Sequence, residues 1–285
     1  MGGAGGIGGY LKRIIMIQLP ENKERLLVIK IGGNVIDDSN QLHSFLNEFS
    51  NIKTKKILVH GGGKIATRLG EKLGIQSNYI DGRRITDDET IDLVTMVYGG
   101  LVNKKIVAKL QSMDCNAIGI SGADANLLPA QKRPVKEIDF GWVGDIETNK
   151  IKTETWQTLL ENNLTPVVAP LTHDSNGHIL NTNADTIASV IAVNLSSSYE
   201  VKLVFCFEKN GVLLEVNDEN SVVKKLDANA YQQLKENNRL FAGILPKIDN
   251  AFDAIRKGVK EVVIGNSFQL SSLVNGQSGT KISMQ

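Results

Sequence analysis

The chain has 285 residues, 41% of them hydrophobic and 22% charged, with 32 Lys+Arg against 31 Asp+Glu. This is ordinary globular composition with material for a sizeable core; a net charge of +1 and 5% aromatics leave no basic stripe or stacking platform for nucleic acid. No apolar run reaches the length of a membrane span, and Cys115 and Cys206, far apart in apolar runs, read as buried inert thiols of a reducing cytoplasm.

Residues 1–9 are nearly all glycine, and 1–24 read as a mobile extension with one short helix over 10–17; Met16 serves equally well as the first residue. Gly2 begins a myristoylation pattern that Gly6 breaks, since Ser or Thr is needed there. Residues 26–31 are apolar except for Lys30, the pattern of a strand buried on both faces, and Gly32 and Gly33 follow. Asp38 and Ser39 offer caps for a helix with Leu42, Phe45, Leu46 and Phe49 on one face. A second strand over 55–59 runs through His60 into Gly61, Gly62 and Gly63, then a helix 64–73 that stops at Gly74. The turn 81–86 leads into one long amphipathic helix over 87–111, with Asp87 and Asp88 at its positive end.

Next come a strand at 117–120, a polar loop 121–126 and a hairpin over 140–152 turning at Thr148 and Asn149. Thr153 caps a helix to 162, and 165–169 is a strand. A second hairpin turns at 175–177 and delivers the chain to a helix that starts within 181–185 and runs to about 195. Ser196, Ser197 and Ser198 mark a lobe boundary. Beyond them lie a strand 201–206, a loop 208–211, helices over 227–239 and 247–257, and strands 261–264 and 280–283. Strands alternating with helices make an α/β fold with a mostly parallel sheet.

Packing does not explain Lys30, because an ammonium inside a buried strand needs a negative partner. Glycines after both early strands let backbone N–H groups approach an anion. Two such cradles at one end of a sheet point to a phosphate-handling enzyme. Neither is a Walker A loop, as Leu58 and Ile65 stand where that motif needs Gly and Ser/Thr, and 61–63 lacks the spaced third glycine of a dinucleotide fingerprint. Arg84, between a turn glycine and a helix, is placed to offer its fork to a carboxylate, while Arg83 reads as solvated. Asn183 is a natural cap, which leaves Asn181 and Asp185 unexplained; Asp185 near Lys30 would keep that lysine charged. Lys247 opens a helix, where the dipole disfavours a cation, so an anionic ligand is expected there. The four histidines have no metal-ligand spacing, and neither a Ser-His-Asp order nor paired glutamates point to hydrolysis. No metal site is read from the chain.

Over about 26–285, residues 29–33, 60–63, 81–86, 181–185 and the pair Gly243 and Lys247 together resemble the amino-acid kinase family. Carbamate, aspartate and uridylate kinases share the first two stretches but not the pair Arg84 and Asn181. The resemblance implies a three-layer αβα sandwich in two lobes, 25–195 binding an acyl-amino acid and forming a dimer, 196–285 binding nucleotide. The implied reaction is ATP-dependent phosphorylation of the side-chain carboxylate of an N-acylated glutamate, in arginine biosynthesis, with Mg²⁺ bridging the ATP phosphates. Lys30 and Lys247 would stabilise the migrating phosphoryl group and Asp185 would organise them. Gly32, Gly33, Gly62 and Gly63 would offer N–H groups to the γ-phosphate and the attacked carboxylate. Arg84 and Asn181 would hold the amino acid, and Glu208, Asn210 and Gly211 would line the nucleotide site. A carboxylate is already nucleophilic, which agrees with the lack of a general base.

Three departures from the family pattern stand out. Glu208, Lys209 and Asn210 replace the usual Asp-led nucleotide loop. Arg83 replaces a leucine, and its charge suits an N-succinyl as well as an N-acetyl substrate. Residues 268–282 are similar to the uninhibited dimeric type, whereas the extension is superficially similar to the arginine-inhibited one; an uninhibited homodimer is expected. Outside this reaction, an aminoadipate-type kinase and a catalytically dead amino-acid sensor are the competing readings.

Overall fold

The apolar run around Lys30 forms a strand near the middle of an eight-stranded sheet. The structure is a computed structural model and describes residues 23–80, 82–215, 217–237, 239–240 and 244–284. In chain order the strands of this sheet are β1 (Arg25–Ile31), β2 (Lys55–His60), β3 (Ala117–Ile120), β4 (Thr165–Val168), β5 (Glu200–Phe207), β6 (Lys225–Leu226), β7 (Glu261–Asn266) and β8 (Thr280–Ile282). Their spatial order is β6-β8-β7-β5-β1-β2-β4-β3. Six strands are parallel, and β8 runs antiparallel to β7 with β6 beside it.

Alternation along β1 divides the core. Leu26 and Val28 join one apolar cluster with helices Ala184–Leu195 and Leu245–Arg256, while Leu27, Ile29 and Ile31 join another with helix Ser39–Asn51 and the helical stretch 88–111. Covering on both faces is why β1 reads as a nearly unbroken apolar run. The expected three αβα layers are present. From β1 the chain builds outward on one side through β2, β4 and β3; helix Ala184–Leu195 then carries it back to β5 on the other side of β1. Strand order reverses there, and an open parallel sheet holds its ligands at the carboxyl ends beside such a reversal.

Local signals account for most elements. Asp38 accepts from the backbone N–H groups of Asn40 and Gln41 and caps helix Ser39–Asn51, a contact worth about 1 kcal/mol. Gly74 ends helix Gly63–Leu73 with φ 78°. The hairpin around Ser175–Gly177 forms as expected, pairing Leu171–His173 with Ile179–Asn181.

Several expectations are corrected. Gly144–Ile146 pairs with Ala130–Lys132, not with residues after 148, and Thr148–Lys150 is a 3₁₀ turn. The pairing is long-range, which a local alternation pattern does not reveal; Arg133 holds it by donating to Asp145 at 2.6 and 3.1 Å. Thr153 is the first residue of helix Thr153–Glu161, not its cap, because its hydroxyl is turned to Asn194 at 3.1 Å. The stretch 88–111 is one helical rod, but Thr95–Val102 in its middle is π-helical. Both cysteines are buried and free.

At the amino end, Lys23 donates to Ser196 O at 2.8 Å and Glu24 pairs with Lys55 at 2.5 Å, so the last two residues of the expected extension are tied to the body. The helix expected over 10–17, Met16, Asp81 and Gly243 lie outside the described residues.

Candidate active site at the carboxyl ends of the central strands

Lys30 finds its negative partner in Asp185. Lys30 Nζ lies 2.7 Å from Asp185 Oδ1, and Lys247 Nζ donates to Asp185 Oδ2 at 2.8 Å. One carboxylate thus holds two ammonium groups that are 217 positions apart in the chain. Asp185 is in the first turn of helix Ala184–Leu195, where Asn183 caps by accepting from the N–H groups of Asp185 and Thr186, and the helix dipole favours the acid there. Burial pushes the Asp185 carboxyl up, but the two lysines outweigh it and hold the group at about 2. Lys247 is in the first turn of helix Leu245–Arg256, and the anion that position demands is supplied by the protein itself. Side-chain exposures of 12%, 14% and 26% for Lys30, Asp185 and Lys247 leave the triad largely shielded from water but reachable. Its net charge is positive, and in such a setting it attracts a further anion.

The two glycine turns stand side by side. A Cβ on Gly61 would lie 3.8 Å from Gly33 N and 3.9 Å from Ile31 O, and one on Gly32 would lie 3.7 Å from Cys206 O at the end of β5. Gly62 is required by close approach, since its Cβ would come within 2.9 Å of the Tyr98 ring. A Cβ on Gly33 or Gly63 would meet nothing within 4 Å, so there is open space beside both turns.

Behind this turn, His60 is fully buried. Its Nδ1 donates to Gly61 O at 2.7 Å, and Asn103 Nδ2 donates to its Nε2 at 3.1 Å. Desolvation lowers the imidazole to about 4, so it is neutral and fixed in one tautomer.

Arg84 is 5% exposed and its fork is already engaged. One terminal nitrogen donates to Ser77 Oγ; the other donates to Gly63 O and Thr67 Oγ1, both at 2.9 Å. Nε has no partner, and the guanidinium lies 4.8 Å from the Tyr79 ring centroid. Arg84 is therefore locked against the second glycine turn instead of standing free. Arg83 is exposed on the other face of the short hairpin Tyr79–Ile80/Arg83–Arg84, so the two arginines do not act as a pair. Asn181 Nδ2 donates to Thr86 Oγ1 at 3.0 Å, and that hydroxyl in turn donates to Arg84 O at 3.2 Å. The structure thus brings Gly63, Arg84 and Asn181 into one connected set.

On the β5 side, the loop after Phe207 holds Glu208, Asn210 and Gly211 near β7. Asn266 Nδ2 donates to Asn210 Oδ1 at 3.0 Å and to Glu208 O at 3.3 Å. Lys209 pairs with Glu219 at 2.6 Å, and Asn210 N donates to the same carboxylate. A Cβ on Gly211 would lie 2.7 Å from Thr280 Oγ1. A cavity of about 200 Å³, lined in part by Asn210, Glu219, Val222, Ser278 and Gly279, opens beside this loop. Among the described residues no cluster of three His, Cys, Asp or Glu is arranged to hold a metal.

Sequence reasoning missed Tyr98, Asn103, Thr86 and Glu219. Thr86 is readable in principle, as a polar residue two positions beyond Arg84; Tyr98 and Asn103 are recruited from a distant segment, and Glu219, ten residues past Lys209, is one acid among several in a polar stretch.

Comparison with known proteins bears on this arrangement. The family model described as the amino acid kinase family matches residues 25–266. The acetylglutamate kinase of Cytophaga hutchinsonii is 51% identical over 262 residues, covering 91% of this chain and 98% of that relative. The acetylglutamate kinase of Parabacteroides distasonis is 48% identical, covering 91% and 99%. Among solved structures, N-acetylglutamate synthase from Neisseria gonorrhoeae superposes with a TM-score of 0.77 at 23% identity, covering 91% of this chain and 59% of that longer one, a likeness of fold. The chain belongs to the amino acid kinase family.

Proposed function

We propose that this chain is an acetylglutamate kinase, transferring the γ-phosphoryl group of ATP to the side-chain carboxylate of N-acetyl-L-glutamate in arginine biosynthesis. A carboxylate oxygen forms the new P–O bond, the bond to the bridging oxygen breaks, and ADP leaves with the electron pair. The observation that carries the reading is the single carboxylate of Asp185 holding Lys30 and Lys247 at the carboxyl end of β1. Two anions must meet in this reaction, and in-line placement with charge neutralisation is most of the catalysis.

Lys30 and Lys247 neutralise the migrating group, and Asp185 keeps both oriented without taking a proton, consistent with its depressed pKa. Gly32, Gly33, Gly62 and Gly63 direct N–H groups at the phosphate and the attacked carboxylate. Arg84 and Asn181 hold the amino acid, with the Arg84 fork steadied by Ser77, Thr67 and Gly63 O. Glu208, Asn210 and Gly211 line the nucleotide side. Mg²⁺ would enter with the ATP phosphates and would supply further charge neutralisation beside Lys30 and Lys247. Residues 25–195 form the acyl-amino-acid and dimerisation lobe and 196–285 the nucleotide lobe of a cytoplasmic homodimer. No described helix is long and apolar enough to cross a membrane.

Hydroxylamine trapping tests the reaction. ATP with N-acetylglutamate is expected to give a hydroxamate; its absence with acetyl-, succinyl- and aminoadipate-type acceptors alike rejects the reading. The exposed Arg83 offers no second carboxylate site beside Arg84, so turnover of the succinyl compound is expected to be the lower. Gel filtration with and without arginine reports the dimer, and hydroxamate assays with and without arginine report the expected lack of inhibition.

A further inference from the structure

Thr86 and Asn181 are 95 residues apart, yet their side chains must keep a fixed relation if Arg84 and Asn181 are to hold one ligand. What joins their backbones is a third segment, 140–142. Thr86 N donates to Phe140 O at 3.0 Å, Trp142 N donates to Thr86 O at 2.6 Å, and Asn181 N donates to Trp142 O at 2.8 Å. Gly141 sits at φ 69°, and a Cβ there would lie 2.1 Å from Thr86 O, so the insert is packed to contact against the 86 segment.

The Trp142 side chain anchors this insert. Its Nε1 donates to Asp88 Oδ1 at 2.5 Å, at the start of helix Asp88–Val94. Lys132 Nζ lies 3.9 Å from its ring centroid, and the His178 ring stacks at 4.8 Å. Asp174 holds His178 in turn, at 2.8 Å. One indole thus ties together the helix after Thr86, the strand before the insert and the turn that leads into the strand carrying Asn181. A charge-assisted hydrogen bond and a cation over the ring are each worth more than an ordinary surface contact. None of these groups belongs to the lysine triad or to the nucleotide loop.

We propose that Trp142 is a positioning residue for the amino-acid substrate: it fixes the register of Arg84 and Asn181 and so sets affinity for N-acetylglutamate and not for ATP. This rests on the function proposed above. Kinetics of Trp142→Ala and Trp142→Phe by hydroxamate trapping test it. A misplacement of about 1 Å costs as much as 10²-fold, so Trp142→Ala is expected to raise KM for N-acetylglutamate about tenfold, with KM for ATP within about twofold. Trp142→Phe, which keeps a ring for Lys132 and His178, restores most of that loss. An unchanged KM for N-acetylglutamate, or both KM values rising together with Phe no better than Ala, overturns the proposal.

Should Trp142→Ala fail to fold, Trp156→Phe leaves Trp142 as the sole indole. Its emission is then expected to respond to N-acetylglutamate and not to ADP, and silence toward N-acetylglutamate overturns the proposal. A wild-type chain without hydroxamate product rejects the function itself; an active chain with a silent Trp142 rejects only this placement.

Discussion

The two sides of the site are built differently. On the proposed amino-acid side, His60, Arg84 and Thr86 are buried, and beside their local bonds they make contacts with Asn103, Gly63 O and Asn181 that span 43, 21 and 95 residues of chain. On the proposed nucleotide side, Asn266 reaches Asn210 and the Glu208 carbonyl from β7, but Glu208 is exposed and the loop's ion pair, Lys209 with Glu219 ten residues on, is partly solvated. Buried groups with distant partners are expensive to disturb, because each loss leaves an unsatisfied neighbour in a dry place. An exposed ion pair contributes little. The amino-acid side is therefore the part of the fold that resists change, and the nucleotide loop is the part that tolerates it.

The lysine triad lies between the two sides, and breaking it has the largest expected effect. Lys30→Met and Lys247→Met should each slow hydroxamate formation about 10²–10³-fold, by analogy with removing one transition-state donor. Lys247→Met is expected to leave N-acetylglutamate binding nearly intact by calorimetry; equal loss of binding and turnover would make that lysine structural.

Next in size is Asp185→Asn, read through stability. The folded carboxyl titrates at about 2, against 3.8 for an unperturbed aspartate. Its contribution is fully present above about 4 and is lost as pH falls through about 2. Urea midpoints are expected to drop over that interval in the wild type and to be flatter in Asp185→Asn.

His60 gives the corresponding test for the amino-acid side. Its pKa falls from 6.5 to about 4 on folding, so the unfolded chain binds the proton first. Stability conferred by the neutral ring is complete above pH 6.5 and declines as pH falls toward about 4. His60→Gln should remove that slope; a wild-type midpoint flat from pH 7 to 4 would mean the ring is not held neutral.

The smallest effect belongs to the nucleotide loop. Glu219→Gln is expected to raise KM for ATP no more than about twofold, with no change in KM for N-acetylglutamate, as befits a solvated pair. A larger change would erase the contrast between the two sides.

Much of this is legible in the chain. Lys30 stands out because a buried strand has no use for an ammonium, and Asp185 because capping by Asn183 leaves it unexplained; the structure joins the two. Both glycine turns, the cap at Asp38 and the stop at Gly74 are local, and local signals suffice for them. The pairing of 130–132 with 144–146 is not legible, nor are the Asn103 contact to His60 and the anchoring of Trp142. Each depends on which distant segments the sheet order brings together. Arg84 reads from sequence as an open fork, since nothing in its neighbours announces Ser77 and Thr67 as partners.

The π-helical stretch Thr95–Val102 has a consequence for chain length. Tyr98 backs Gly62 from within it, and Asn103, just past its end, reaches His60. A π-helical stretch takes up an extra residue that α winding would not, so deleting one residue between Val94 and Asn103 is expected to let α winding return with the downstream helix nearly in phase, at the cost of the wide turn that sets Tyr98 against Gly62. An added residue has no such slack: it would turn everything downstream by about 100° and take Asn103 away from the imidazole. This rod is therefore expected to accept a shortening more readily than a lengthening.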